Sequence, residues 1–206
     1  VDPSLAEELS KIHGKRVEFI YNGFDEFIDI EDNNYSRSNK LTLTHTGILT
    51  PGQRVEFLLT AIKNLMYKKV ISEQDIEIRF IGIEHFNDQK KRVLNFDPVL
   101  KNIVKTTPRL SRDEALKINA SSDYLISLTD KNYTAIYAKT YDYISTKRPI
   151  LVIPGDDKLM DDFIRSLNAG YIFNTINELE SFLLENINKK KTGLSISQPE
   201  LNIEKA

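Results

Sequence analysis

Lys139 and Asp142 stand three residues apart in a segment, 134–151, that reads loop, then helix, then strand. At 1.5 Å of rise per residue the two lie about 4.5 Å apart along the helix axis. A lysine beside the unpaired N–H groups of a helix N-terminus suits a diphosphate. A carboxylate one turn further in can accept hydrogen bonds from two ribose hydroxyls. The same spacing also fits a plain i,i+3 ion pair on a solvated helix face, worth a few tenths of a kcal/mol. The residues alone leave both readings open.

Two more segments bring groups of the same kind. In Thr44-His45-Thr46-Gly47, Gly47 lacks a Cβ and lets a ligand approach the backbone closely. Arg54 follows in the first turn of the next helix, where a cation works against the helix dipole. It fits either a surface arginine after a tight turn or a guanidinium answering a bound pyrophosphate. Thr107-Pro108-Arg109-Leu110 could offer main-chain groups and the Arg109 side chain to a planar base, or be an exposed loop without function. His13, His45 and His85 have no metal-ligand spacing, so no metal site is expected. His45 alone, two residues before Gly47, could face a cleft.

The elements that must position these groups alternate. Helix is expected over 3–13 and a short strand over 17–21, ending in the turn Asn22-Gly23. Residues 25–39 are acidic and polar and read as a linker, with a domain boundary near Ser38. Strands then follow at 41–46, 76–81, near 103–104, at 124–128, 149–153 and 171–173. Helices are expected at 53–67, 87–95, 111–120, 138–145, 157–168 and from Thr175 onward. Ser111-Arg112-Asp113-Glu114 and Thr175-Ile176-Asn177-Glu178 have capping-box spacing. Gly170 is expected to stop the helix before it. The alternation predicts an α/β fold: a Rossmann-like, doubly wound parallel sheet with helices on both faces. In such sheets ligands bind beyond the carboxyl ends of the strands. The expected organisation is 1–37 as the end of another domain plus linker, 38–188 as the Rossmann-like domain, and 189–206 as a loosely packed tail.

Bulk properties narrow the function classes. The 206 residues are 40% hydrophobic and 28% charged, an ordinary globular balance. A net charge of −2 gives no overall attraction to nucleic acid. The absence of cysteine removes disulfide and thiol chemistry. No apolar run approaches the ~20 residues of a bilayer span. No G-x-G-x-x-G follows a strand, which argues against a dinucleotide fingerprint. The first residue is valine, and the chain is expected to be a piece of something longer.

Residues 41–185 resemble the nucleotide-sugar-binding, C-terminal domain of family 4 glycosyltransferases, which have the two-domain GT-B fold. The most specific stretch, Ala138-Lys139-Thr140-Tyr141-Asp142-Tyr143-Ile144-Ser145-Thr146-Lys147-Arg148-Pro149-Ile150-Leu151, is similar to the K-[LF]-[FY]-[ED]-Y-[LI]-x-x-x-[KR]-P-[IV]-L pattern of enzymes building bacterial surface polysaccharides. Thr46-Gly47 with Arg54 looks like the family's first loop, and Pro108-Arg109-Leu110-Ser111 like its base-binding loop. Tyr21-Asn22-Gly23-Phe24-Asp25 is similar to the segment that closes the other domain.

The resemblance implies a retaining transfer of hexosyl type from a UDP- or GDP-sugar to a glycan or lipid-linked acceptor, without a metal or a permanently bound cofactor. Arg54 and Lys139 would hold the diphosphate and aid its departure, with Gly47 and Ala138 beside it. Asp142 would hold the ribose, and the main chain at Arg109 and Leu110 the base. The acid that contacts the donor sugar would fall at Thr134, which is not an acid. Many members carry an arginine where Ile48 stands. The acceptor would be bound by the absent N-terminal half, without which the chain is expected to be inactive. The resemblance further implies a cytoplasmic protein, with peripheral contact at the inner membrane face through that half, and no nucleic acid partner.

Overall fold

A computed structural model of the chain describes residues 3–28, 39–130 and 135–202. Six parallel strands form one sheet: β1 (Leu41–Thr46), β2 (Ile76–Ile81), β3 (Val104–Thr107), β4 (Tyr124–Leu128), β5 (Ile150–Ile153) and β6 (Gly170–Ile172), in the order β3-β2-β1-β4-β5-β6. The helices are α1 (Pro3–His13), α2 (Val55–Tyr67), α3 (Asn87–Leu94), α4 (Arg112–Ala120), α5 (Ala138–Ser145), α6 (Leu159–Leu167) and α7 (Ile176–Lys191).

The central strands β4 and β5 are buried along their whole length because helices cover both faces of the sheet. Alternate residues serve opposite layers. Ile126, Leu128, Leu151 and Ile153 join the larger core with α2 and α7. Leu125, Ile150 and Val152 point to the smaller one with Tyr143, Ile144 and Ile164 from α5 and α6. This period of two, read against two buried faces, gives the unbroken Ile150–Ile153 run.

Both expected capping boxes form. Ser111 accepts from the Glu114 N–H, and Thr175 from that of Glu178, each returned by the glutamate side chain. Ser111→Ala is expected to cost about 1 kcal/mol, measurable as a lower urea midpoint with an unchanged slope.

Four expectations are corrected. Residues 17–21 form no strand: no described strand runs beside them, and Ile20 is 86% exposed. Extended chain without a ladder partner is coil. The helix before β6 ends at Asn168, which takes the left-handed conformation at φ 49°, and not at Gly170, which opens β6. Helix α7 runs to Lys191, past the boundary placed at 188. The described residues after it, up to 202, are tied to the domain by hydrogen bonds. The Tyr124 hydroxyl lies 2.7 Å from the Ser197 carbonyl oxygen, and the Asn202 N–H donates to Leu167 O at 2.8 Å. The boundary expected near Ser38 falls within 29–38, outside the described residues.

Candidate functional site

In the strand order above, β1 and β4 are neighbours whose connections leave to opposite sides, so a crevice opens at their carboxyl ends. Its floor is glycine. Gly47 follows β1 at φ 98° and Gly82 follows β2 at φ 85°, both in the region that disfavours side chains. The Gly47 N–H donates to Ile81 O (2.7 Å) and the Gly82 N–H to Thr107 O (3.1 Å), so the three strand-end loops lie side by side. The Thr46 N–H donates to the Tyr143 hydroxyl at 2.8 Å, which ties the first loop to α5.

Helix α5 faces this floor with an open end. Its N-cap, Tyr137, makes no side-chain cap, and no acid occupies the first turn. Unpaired N–H groups and the positive dipole end there form a ready anion site. Lys139 stands in that turn. Its Nζ lies 3.2 Å from His45 Nε2 and 5.7 Å from the Tyr137 ring centroid. His45 is fully buried, and its Nδ1 lies 3.2 Å from Ile126 O. A carbonyl can only accept, so Nδ1 carries the proton and Nε2 is left to accept from the lysine. Burial and then the neighbouring ammonium hold the His45 pKa well below its usual value, keeping it neutral. Lys139 retains some solvent contact, but burial around its Nζ outweighs this and lowers its pKa from the ordinary lysine range to about 7.

Two adjoining hollows make up the crevice. One, of about 610 Å³, is lined by Thr50, Gln53, Asp130, Tyr137 and Ala138. The other, of about 320 Å³, is lined by Leu110, Arg112 and Asp142. Gly47, Gly82, Arg109 and Lys139 line both. Of the expected site residues, Gly47, Arg109, Leu110, Ala138, Lys139 and Asp142 thus come together.

Arg54 does not line either hollow. It is the N-cap residue of α2, and its Nε is buried without a hydrogen-bond partner among the described residues. The crevice is reached instead by Gln53, pinned by Nε2 to Leu128 O (2.9 Å) and by the Thr50 N–H on Oε1 (2.9 Å). Thr134 lies outside the described residues. Asp142 has an ion-pair partner that sequence reading passed over. Arg112 donates to its Oδ1 from Nη2 (2.9 Å) and from Nε (3.3 Å), so both bonds fall on one carboxylate oxygen.

Asp130 was also passed over, although it lies two residues beyond β4, where the strand-end rule points. Among the described residues, no group of three or more histidines, cysteines and acids is placed to hold a metal ion. No helix among them is long and apolar enough to cross a membrane.

No protein-family model matches this chain, and no curated protein matches it. Solved structures do. The chain is similar to a mutant of S. aureus TarM in complex with fondaparinux, alpha-GlcNAc-glycerol and UDP (15% identity, TM-score 0.60, 92% of this chain and 36% of that one). It is similar to the pneumococcal O-GlcNAc transferase GtfA in complex with UDP and GlcNAc (10%, 0.57, 93% and 37%). Anabaena HepE in complex with UDP and glucose is a third (14%, 0.53, 93% and 45%). At these identities the likeness shows the fold. The chain spans less than half the length of each.

Proposed function

We propose that this chain is the donor-binding domain of a retaining glycosyltransferase, and that the crevice takes a nucleoside-diphosphate sugar. One observation carries the reading. An uncapped helix N-terminus, a lysine and an arginine meet over a side-chain-free floor at the point where the strand order reverses. Three solved structures of this fold were crystallised with UDP, which agrees.

In this reading the diphosphate lies at the junction of the two hollows, on the N–H groups of α5, Lys139 and Arg109. Positive charge held there stabilises the diphosphate as it leaves the sugar. Asp142 takes the ribose through Oδ2, to which no described residue donates, and the loop at Arg109 and Leu110 takes the base. Arg54, which lines neither hollow, has no part in this reading, and Arg54→Ala is expected to leave nucleotide affinity unchanged. Transfer to a glycan or lipid-linked acceptor, a place in surface polysaccharide synthesis and the inactivity of this chain alone belong to the same proposal. A non-catalytic nucleotide-sugar-binding module is the second reading, favoured by the threonine at position 134.

A thermal-shift series with UDP, GDP and ADP tests the site. Stabilisation by one of them supports it, and a flat response to all three at millimolar concentration removes it. For the ribose, Asp142→Asn is expected to cut the preference for ribo- over 2′,3′-dideoxy-nucleotide about tenfold, one hydrogen bond to a charged group being worth about 1.5 kcal/mol or more. A preference as strong as the parent's would exclude Asp142 from the ribose.

A further inference from the structure

Arg112 stands where its own helix gains nothing from a cation. It is the first residue of α4, at the positive end of that helix, where Asp113 and Glu114 are the residues that suit the dipole. Asp25 and Asp113 line a hollow with it on one side, yet both of its side-chain hydrogen bonds to described residues go to Asp142 on α5. The pair is partly open to solvent, with side chains 58% and 34% exposed, and an ion pair of that kind contributes little to stability. It faces the crevice instead: Arg112 and Asp142 line the smaller hollow together with Arg109 and Lys139.

A carboxylate needs such a partner if the crevice takes a diphosphate. Asp142 lies one turn into α5, close to the N–H groups that would seat the anion, and like charges repel. Lys139, three residues earlier, does not offset it as an i,i+3 pair, because its Nζ lies against His45 Nε2 (3.2 Å). Arg112 supplies the charge from another helix. Its Nε and Nη2 both donate to Oδ1 (3.3 and 2.9 Å), so the charge is met while Oδ2 is left to a hydroxyl. We propose that Arg112 is a positioning residue that neutralises Asp142, so that this acid can read a ribose beside a diphosphate without repelling it. The inference rests on the reading of the crevice as a nucleoside-diphosphate site.

Ligands without ribose hydroxyls isolate the charge. Calorimetry at low salt would compare wild type, Arg112→Ala, Arg112→Lys, Asp142→Asn and the double variant Arg112→Ala with Asp142→Asn. The probes are UDP, GDP, ADP and their 2′,3′-dideoxy forms. With the dideoxy form of the nucleotide that binds, Arg112→Ala should be about fivefold weaker than wild type, the size of an exposed charge effect at low salt. Asp142→Asn should bind it as tightly as wild type or tighter, because a like charge is gone. The double variant, with its charge again balanced, should return to within about twofold of wild type, and so should Arg112→Lys, which keeps the charge. The urea midpoint of Arg112→Ala should not move, which separates the effect from a loss of fold. A double variant as weak as Arg112→Ala would mean that the guanidinium holds the nucleotide itself, and would overturn the inference. So would an Arg112→Ala variant that binds like wild type. Either result leaves the diphosphate site standing. A wild-type protein that binds none of the six probes would overturn the diphosphate reading and this inference with it.

Discussion

Replacing Lys139 by alanine is expected to weaken binding of the cognate nucleoside diphosphate at least tenfold at pH 7, or about 1.4 kcal/mol. The ammonium stands in the first turn of α5, where it adds a mobile charge to N–H groups that cannot move. Among the described residues no other side chain replaces it. Arg109 is exposed on the opposite loop, and Arg112 is engaged with Asp142. His45 beneath it stays neutral. The variant should keep its fold, since the contacts of the lysine among the described residues are to that histidine and to an aromatic face.

The same residue predicts a pH dependence with a definite sign. In the free protein the Lys139 pKa is lowered to about 7 by burial. A bound diphosphate favours the charged form and raises it. Binding therefore takes up a proton above pH 7. Affinity is full below about 7 and falls by up to tenfold per pH unit above it, until the pKa of the complex is reached. A terminal phosphate is already ionised in that range, so the ligand does not mask the effect. Calorimetry in two buffers of different ionisation enthalpy would read the proton directly at pH 8. Lys139→Ala should bind without proton uptake, and Lys139→Arg should hold its affinity to pH 9. Proton uptake persisting in the alanine variant would assign it elsewhere.

Why this site was partly visible in the sequence follows from how local its parts are. Gly47 sits at a strand end and Lys139 at a helix start, with Asp142 one turn further along the same helix, and those boundaries are set by nearest neighbours in sequence. The Ser111 and Thr175 caps are pairs three residues apart and read without any fold. What was hidden depends on distant partners. The bond between Arg112 and Asp142 joins α4 to α5 across 30 residues, and it changes what the carboxylate can offer a ligand. The distance from His45 to Lys139 spans 94 residues and decides the state of the lysine. Asp130 reads as a loop residue until Gly52 is seen to leave room for it. Arg54 shows the converse, since its first-turn position pointed to the crevice while Gln53 took the place there. Val17 to Tyr21 have strand-forming side chains, yet a strand exists only where another edge accepts it.

Gly170 is the second residue that local pattern misreads, and its replacement should give a large loss of stability. Its apparent role is to stop a helix, yet Asn168 does that in the left-handed conformation. Gly170 instead opens β6 against β5. A Cβ there would lie 1.9 Å from Ile150 O and 2.6 Å from Ile150 N, inside the ladder itself. Backbone cannot yield as a flexible side chain can, so Gly170→Ala must push β6 off its neighbour. A cost of about 3 kcal/mol is expected, the upper range for overpacking a tight site. Urea unfolding measures it. Gly23→Ala is the control, because nothing lies within 4 Å of its added Cβ and its φ is ordinary. That change should be neutral or slightly stabilising, since it restricts only the unfolded chain. The two alanines separate steric demand from chain entropy. Strand β6 lies at the sheet edge, two strands from the crevice at β1 and β4. The Gly170 variant that remains folded should therefore bind nucleotide with wild-type affinity while melting earlier. If affinity falls in step with stability, the crevice and the β5–β6 edge are coupled, and the donor site cannot be treated as a rigid product of the first four strands.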